Sequence, residues 1–293
     1  MPPPSARSRS DLAERTVTFS TDAPIGVFDS GIGGLSVLRH VRALLPAERL
    51  LYFADSGFSP YGEKPETVIV ERVLAIAAFL LSFNVKAIVV ACNTATAAAI
   101  AALRATYPGL HVVGVEPGLK PAASLTKTGT VGVLATHATL ASDKFQRLQQ
   151  QTAESTGTQF LSQACNGLAD QIEKGELNSR ETAMLVESYV APLLRQQADT
   201  LVLGCTHYPF VQSLIAKIAA DAGRSVSLVD TGEPVARQLQ RLLSQHGLLR
   251  AGAPSGLLSA YTTGSRTSLS SAFRLLLGLE VSAEEVAITL DNA

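Results

Sequence analysis

From Pro24 onward the chain alternates short apolar runs with longer segments in which apolar residues recur at spacings of three and four. The runs fall at residues 25–28, 50–54, 87–91, 112–115, 131–135, 200–203 and 227–229, and are rich in Val, Ile, Leu or aromatic residues. Continuous apolar runs of this length predict strands buried on both faces, as in parallel sheets. The intervening segments 35–45, 66–83, 96–106, 139–151, 180–197, 210–222 and 234–246 carry the helical period, as in Leu239, Leu242 and Leu243. Strand–helix alternation predicts βαβ units and an α/β fold.

A longer-range echo divides this pattern. Ile88-Val89-Val90-Ala91-Cys92-Asn93-Thr94 and Leu201-Val202-Leu203-Gly204-Cys205-Thr206-His207 both run strand, small residue, cysteine, two polar residues, helix. The expectation is two pseudo-symmetric lobes, each a mainly parallel sheet flanked by helices, with the active site in the cleft between them. Lobe 1 is expected at 23–117 plus 231–293 and lobe 2 at 118–230, with turns near Glu116-Pro117-Gly118 and Asp230-Thr231-Gly232. Residues 1–22 open on a Pro/Ser/Arg-rich stretch without periodicity and read as a disordered extension.

Composition narrows the classes. The 293 residues hold 24 Lys+Arg against 25 Asp+Glu, a net charge of −1. That removes the basic surface that nucleic acid or an anionic membrane would need as a partner. Apolar residues make up 46% and charged residues 17%, which excludes disorder of the whole chain. The longest uncharged apolar stretch, 87–103, is broken by Asn93, Thr94 and Thr96 and is short for a membrane span. Three cysteines and no apolar signal core at the N-terminus point to free thiols in a reducing, cytoplasmic compartment.

Ligands of open parallel sheets bind beyond the carboxyl ends of the strands, so the residues after each run are the candidates. Asp29-Ser30-Gly31-Ile32-Gly33-Gly34 follows the first run. It reads either as an anion site at a helix start or as an ordinary glycine turn capped by Ser30. It has neither the dinucleotide spacing nor a Lys-Ser/Thr continuation. Cys92-Asn93-Thr94 puts a thiol at a helix mouth, where a thiolate is favoured; a buried core cysteine beside a cap is the plain alternative. Cys205-Thr206-His207-Tyr208-Pro209 repeats the setting, with His207 placed to tune the thiol and Pro209 suited to a first helical turn. The loop 55–62 contains Tyr61 and Gly62, which could close a small pocket. Cys165 precedes a turn pair, Asn166-Gly167, and reads as a non-catalytic thiol. No metal-ligand spacing and no lysine in a phosphate-cradling context occur, so no cofactor is expected.

One activated thiol with a His base suggests nucleophilic catalysis. Two equivalent thiols from two lobes suggest proton removal on one face of a carbon and return on the other, which inverts a stereocentre. Asp29 and His207 are placed to assist the two transfers. At this point the residues carry a resemblance. Ile25 to Leu35, Pro60-Tyr61-Gly62, Val89 to Thr96, Gly114 to Gly118 and Leu203 to Pro209 are similar to the motifs of the glutamate racemases in the cofactor-independent Asp/Glu racemase superfamily. The resemblance implies interconversion of L- and D-glutamate, with D-glutamate feeding peptidoglycan synthesis. It implies Cys92 as the acid/base for the D-enantiomer and Cys205 for the L-enantiomer. Asp29, Ser30, Tyr61, Gly62, Asn93, Thr94, Thr206 and His207 fall on substrate-contact positions, and a homodimer is implied. The competing readings are a superfamily relative acting on aspartate or another 2-substituted acid, and a non-enzymatic regulatory binding protein.

Overall fold

A computed structural model of the chain describes residues 19–254 and 256–289. The chain divides into two compact units: unit 1 runs to Val115 and resumes at Gly232, and unit 2 is Glu116–Thr231. The described strands, in chain order, are β1 (Ile25–Asp29), β2 (Leu50–Ala54), β3 (Ala87–Val90), β4 (His111–Gly114), β5 (Thr130–Ala135), β6 (Gln159–Ala164), β7 (Thr200–Gly204), β8 (Ser227–Val229), β9 (Leu258–Thr262) and β10 (Ala283–Glu285).

Unit 1 carries a six-stranded sheet in the order β10-β9-β2-β1-β3-β4, and unit 2 a four-stranded sheet in the order β6-β5-β7-β8. Every neighbouring pair is parallel, so Ile25 pairs with Leu50 on one side and Ala87 on the other. The fold is α/β, with two parallel sheets flanked by helices. Counting strands within each unit, β2-β1-β3-β4 and β6-β5-β7-β8 share one order: second, first, third, fourth. In such a sheet the connection reverses direction between the first and third strands, and the crevice beyond their carboxyl ends is the switch point where ligands bind. Asp29 ends β1 and Cys92 follows β3; Ala135 ends β5 and Cys205 follows β7.

The central strands owe their position to composition. All five residues of β1, β2 and β7 are buried, as parallel strands covered on both faces require. In unit 1 their side chains join the helices Glu66–Ser82 and Asn93–Thr106 around Phe53, Ile76, Leu80 and Ile88. In unit 2 the helix Arg180–Arg195 brings Val186, Val190 and Leu193 against Leu201 and Leu203.

The structure adds to the expected elements. β6, β9 and β10 lie outside the seven runs, as do the helices Leu119–Leu125, Leu168–Glu173 and Arg266–Leu277. The helix expected over 139–151 is two helices, His137–Ala141 and Asp143–Thr156, because Ser142 caps the second through its hydroxyl. The helix expected at 96 starts at Asn93, because Cys92 is its cap.

Of the extension expected over 1–22, residues 1–18 lie outside the described residues. Residues 19–22 are held to unit 1. The Lys86 ammonium donates to the carbonyls of Thr21 (2.6 Å) and Leu248 (2.9 Å) and pairs with Glu48 at 2.6 Å, while Arg250 pairs with Asp22 at 3.0 Å. No described helix is long and apolar enough to cross a membrane. Cys92, Cys165 and Cys205 are free thiols.

Candidate active site

In unit 1, Asp29 and Ser30 at the end of β1 and Cys92, Asn93 and Thr94 just beyond β3 are all buried. The Cys92 sulfur accepts a hydrogen bond from the Ala95 amide at 3.4 Å and lies 3.6 Å from the Ser30 hydroxyl. A cysteine thus takes the place usually held by Ser, Thr, Asp or Asn at a helix start, and an amide of the first turn points at its sulfur. Asn93 follows it. Both polar atoms of its side chain are buried without a hydrogen-bond partner among the described residues. Leaving such groups unmet costs roughly 1–3 kcal/mol each, so this amide is an exception that a bound ligand would resolve.

The glycine turn after β1 is closed by its own backbone. Leu35, Ser36 and Val37 donate their amides to the carbonyls of Ile32, Gly33 and Gly34, and the Gly31 amide donates to Asp29 Oδ1 at 2.8 Å. The first amides of the helix Leu35–Leu44 are therefore taken by the turn, and that helix has no side-chain cap. Ser30 does not cap it; its hydroxyl is turned to Cys92. Gly34 is required for space, since a Cβ there would sit 2.5 Å from the Asp29 Cβ. Tyr61 and Gly62 occupy a 3₁₀ turn, Tyr61–Glu63. The Tyr61 ring packs in the same buried cluster as Cys92, and its hydroxyl donates to Asp55 at 2.6 Å.

In unit 2 the cysteine has a different partner. Cys205 follows β7 and leads into a 3₁₀ turn, Tyr208–Val211, with Pro209 in its first positions; the α-helix proper begins at Gln212. The Cys205 sulfur lies 3.6 Å from His207 Nδ1, and His207 Nε2 donates to the Glu173 carboxylate at 2.6 Å. Burial alone would lower the His207 pKa, but the hydrogen bonds to Cys205 and Glu173 outweigh it and raise the value well above the ordinary imidazole range. The ring is clamped between sulfur and carboxylate, which favour its protonated form. Thr206 is buried beside it. Burial pushes the Cys165 thiol up, out of the range of a ready nucleophile.

Sequence reasoning missed Glu173. It closes a six-residue helix, Leu168–Glu173, and nothing in Ile172-Glu173-Lys174 marks it apart from any surface glutamate. Only the fold of unit 2 brings it to His207.

The model of the Asp/Glu/hydantoin racemase family matches residues 25–239. A glutamate racemase from Ectopseudomonas mendocina is 52% identical over 258 residues, covering 88% of this chain and 96% of the relative. One from Methylococcus capsulatus is 54% identical over 241 residues, covering 82% and 87%. Among solved structures, a glutamate racemase isoform from Bacillus anthracis superposes with a TM-score of 0.80 at 33% identity, covering 92% of this chain and 98% of that one. The Francisella tularensis glutamate racemase, solved in complex with D-glutamate, gives 0.79 at 30% identity with the same coverage. The chain belongs to the Asp/Glu/hydantoin racemase family, and is therefore an enzyme of the isomerase class. Within that family it falls among the glutamate racemases.

Proposed function

We propose that this enzyme interconverts L- and D-glutamate by two-base proton transfer through Cys92 and Cys205, without a cofactor. The observation that supports this most is the pair of thiols at the same topological position in two sheets of the same strand order, each with its own proton partner.

In the D-to-L direction the Cys92 thiolate takes the α-proton: the C–H bond breaks, an S–H bond forms, and the electron pair passes into the carboxylate-stabilised carbanion. The Cys205 thiol then delivers its proton to the opposite face, leaving a thiolate beside the His207 imidazolium. The reverse direction exchanges the roles. The mechanism requires one substrate carbon within reach of both thiols. The Ala95 amide supplies the hydrogen bond that a thiolate at Cys92 accepts, and the Glu173–His207 pair does the same work at Cys205.

Asp29 is assigned to assist Cys92, with which it shares the β1–β3 crevice. Asn93 is assigned to the substrate, because its amide carries unmet donors and an unmet acceptor. Ser30, Tyr61, Gly62, Thr94, Thr206 and His207 complete the contacts. The product serves peptidoglycan synthesis, and the enzyme works as a cytoplasmic homodimer.

The test is proton NMR of the enzyme with L-glutamate in D2O under reducing conditions and no added cofactor, with circular dichroism on the same sample. Loss of both the α-proton signal and the optical activity is expected, and Cys92→Ala and Cys205→Ala should each abolish racemisation while remaining folded. Full racemase activity in either variant would refute the mechanism.

A further inference from the structure

The carboxylate of Asp55 is fully enclosed and saturated. Its Oδ2 accepts from the Tyr61 hydroxyl at 2.6 Å and from Arg72 Nε at 2.8 Å; its Oδ1 accepts from Arg72 Nη2 and the Thr263 hydroxyl, both at 2.7 Å. Four donors fill the capacity of a carboxylate. The guanidinium meets it with two parallel hydrogen bonds, the geometry in which arginine is strongest. Its remaining Nη1 donates to the Ile288 carbonyl at 3.0 Å, and the guanidinium carbon lies 4.7 Å from the centre of the Phe58 ring.

This knot is buried in unit 1. The Asp55 amide donates to the Asp29 carbonyl at 3.0 Å, which fixes the residue adjoining Ser30. Tyr61, held by Asp55, packs in the cluster that contains Cys92. Gly57 is pressed against Thr263, where a Cβ would sit 2.3 Å from the Thr263 carbonyl oxygen. Burial first, then the charge and hydrogen bond of Asp55, then the charge of Cys92 hold the Tyr61 phenol well above its ordinary pKa. The phenol therefore keeps its proton and spends it on Asp55.

We propose that Arg72, through Asp55, is a positioning residue for the Cys92 half of the reaction: it fixes the Tyr61 wall and cancels the buried negative charge that holds that wall's phenol. The proposal rests on the two-thiol reading. Without the guanidinium, Asp55 would be an uncompensated buried anion against Tyr61, whose phenol also feels the charge of Cys92, and a further negative charge at Cys92 would be disfavoured. Arg72, Asp55, Tyr61 and Cys92 all belong to unit 1. The effect is therefore one-sided.

One-sidedness is what the experiment reads. Arg72→Lys keeps the charge and loses the fork, and is expected to lose about tenfold in kcat/KM. In this variant the α-deuterium isotope effect should rise with α-deuterated D-glutamate, because transfer to Cys92 limits the rate more, and fall with α-deuterated L-glutamate. Arg72→Ala should lose more and be partly rescued by free guanidinium. A cavity of about 420 Å³ lined by Arg72, Gly57, Thr263 and Ile288 gives that ion a route.

Equal changes in both directions in folded Arg72→Lys, with no guanidinium rescue, would overturn the proposal. If Arg72→Ala does not fold, the isotope effects of Arg72→Lys decide alone. Failure of the two-thiol reading looks different: with Arg72 intact, Cys92→Ala or Cys205→Ala would still racemise glutamate.

Discussion

Glu173→Gln isolates the role of the second carboxylate. The amide has the size of the acid and can still accept from His207 Nε2, so the change removes charge and not the contact. The 2.6 Å bond to an imidazolium is charge-assisted, worth roughly 1.5–3 kcal/mol. The Glu173 side chain is 23% exposed, and solvent screening trims the figure toward its lower end. At 1.36 kcal/mol per factor of ten, kcat/KM should fall about 10- to 30-fold.

The pH profile gives the sharper reading. Glu173 is one of the groups that raise His207, so its loss lets the imidazolium give up its proton sooner. The alkaline limb of kcat/KM should move to lower pH, measured by circular dichroism in both reaction directions over about pH 6 to 10. Stability follows the same sign: a raised folded pKa stabilises fully below the unfolded imidazole value, and this is lost as the pH rises through the folded value. The unfolding difference between wild type and variant should therefore shrink toward alkaline pH. An unmoved alkaline limb with wild-type kcat/KM would show that Glu173 does not act through His207.

Two further outcomes follow from buried polar groups. Asn93→Ala removes an amide whose polar atoms are unmet; urea unfolding should show stability unchanged or higher by up to about 1 kcal/mol, while KM for glutamate rises about tenfold. A destabilised variant with unchanged KM would contradict the assignment. Lys86→Met removes the buried ammonium that pairs with Glu48 and should cost about 3–5 kcal/mol, most of it recovered in the double variant Lys86→Met/Glu48→Gln; no recovery would mean that the ammonium's bonds to Thr21 and Leu248 matter more than the charge pair.

The legibility of the chain tracks burial. β1 to β5, β7 and β8 announce themselves as apolar runs because most have both faces covered. β6, Gln159–Ala164, is an edge strand whose side chains are half-buried or exposed, so its sequence looks like loop. β10 reads Ala-Glu-Glu and no periodicity could find it. The two cysteine motifs were legible because each gathers its residues within a few positions of one strand end. Glu173 and Arg72 were not, since each reaches its partner from a different element: Glu173 lies 34 positions from His207, and Arg72 lies 17 from Asp55. An Arg on a helix normally signals a solvated face.

The division of unit 1 into two stretches of chain also dictates an order of assembly. β2 is buried along its length, yet its outer neighbour β9 pairs Leu50 with Leu258. The Glu48 carboxylate likewise waits for the Arg250 amide, 202 positions later. On a ribosome the whole of residues 116–231 emerges before β9 does, and unit 2 is built entirely from that stretch. Unit 2 can close its sheet while the Leu-Leu-Tyr-Phe-Ala strand β2 still presents an open, apolar edge. Nascent chains are most exposed to aggregation in such intervals. The last stretch of the polypeptide is thus the closing seam of unit 1, and chains arrested before β9 should be the ones that depend on chaperones.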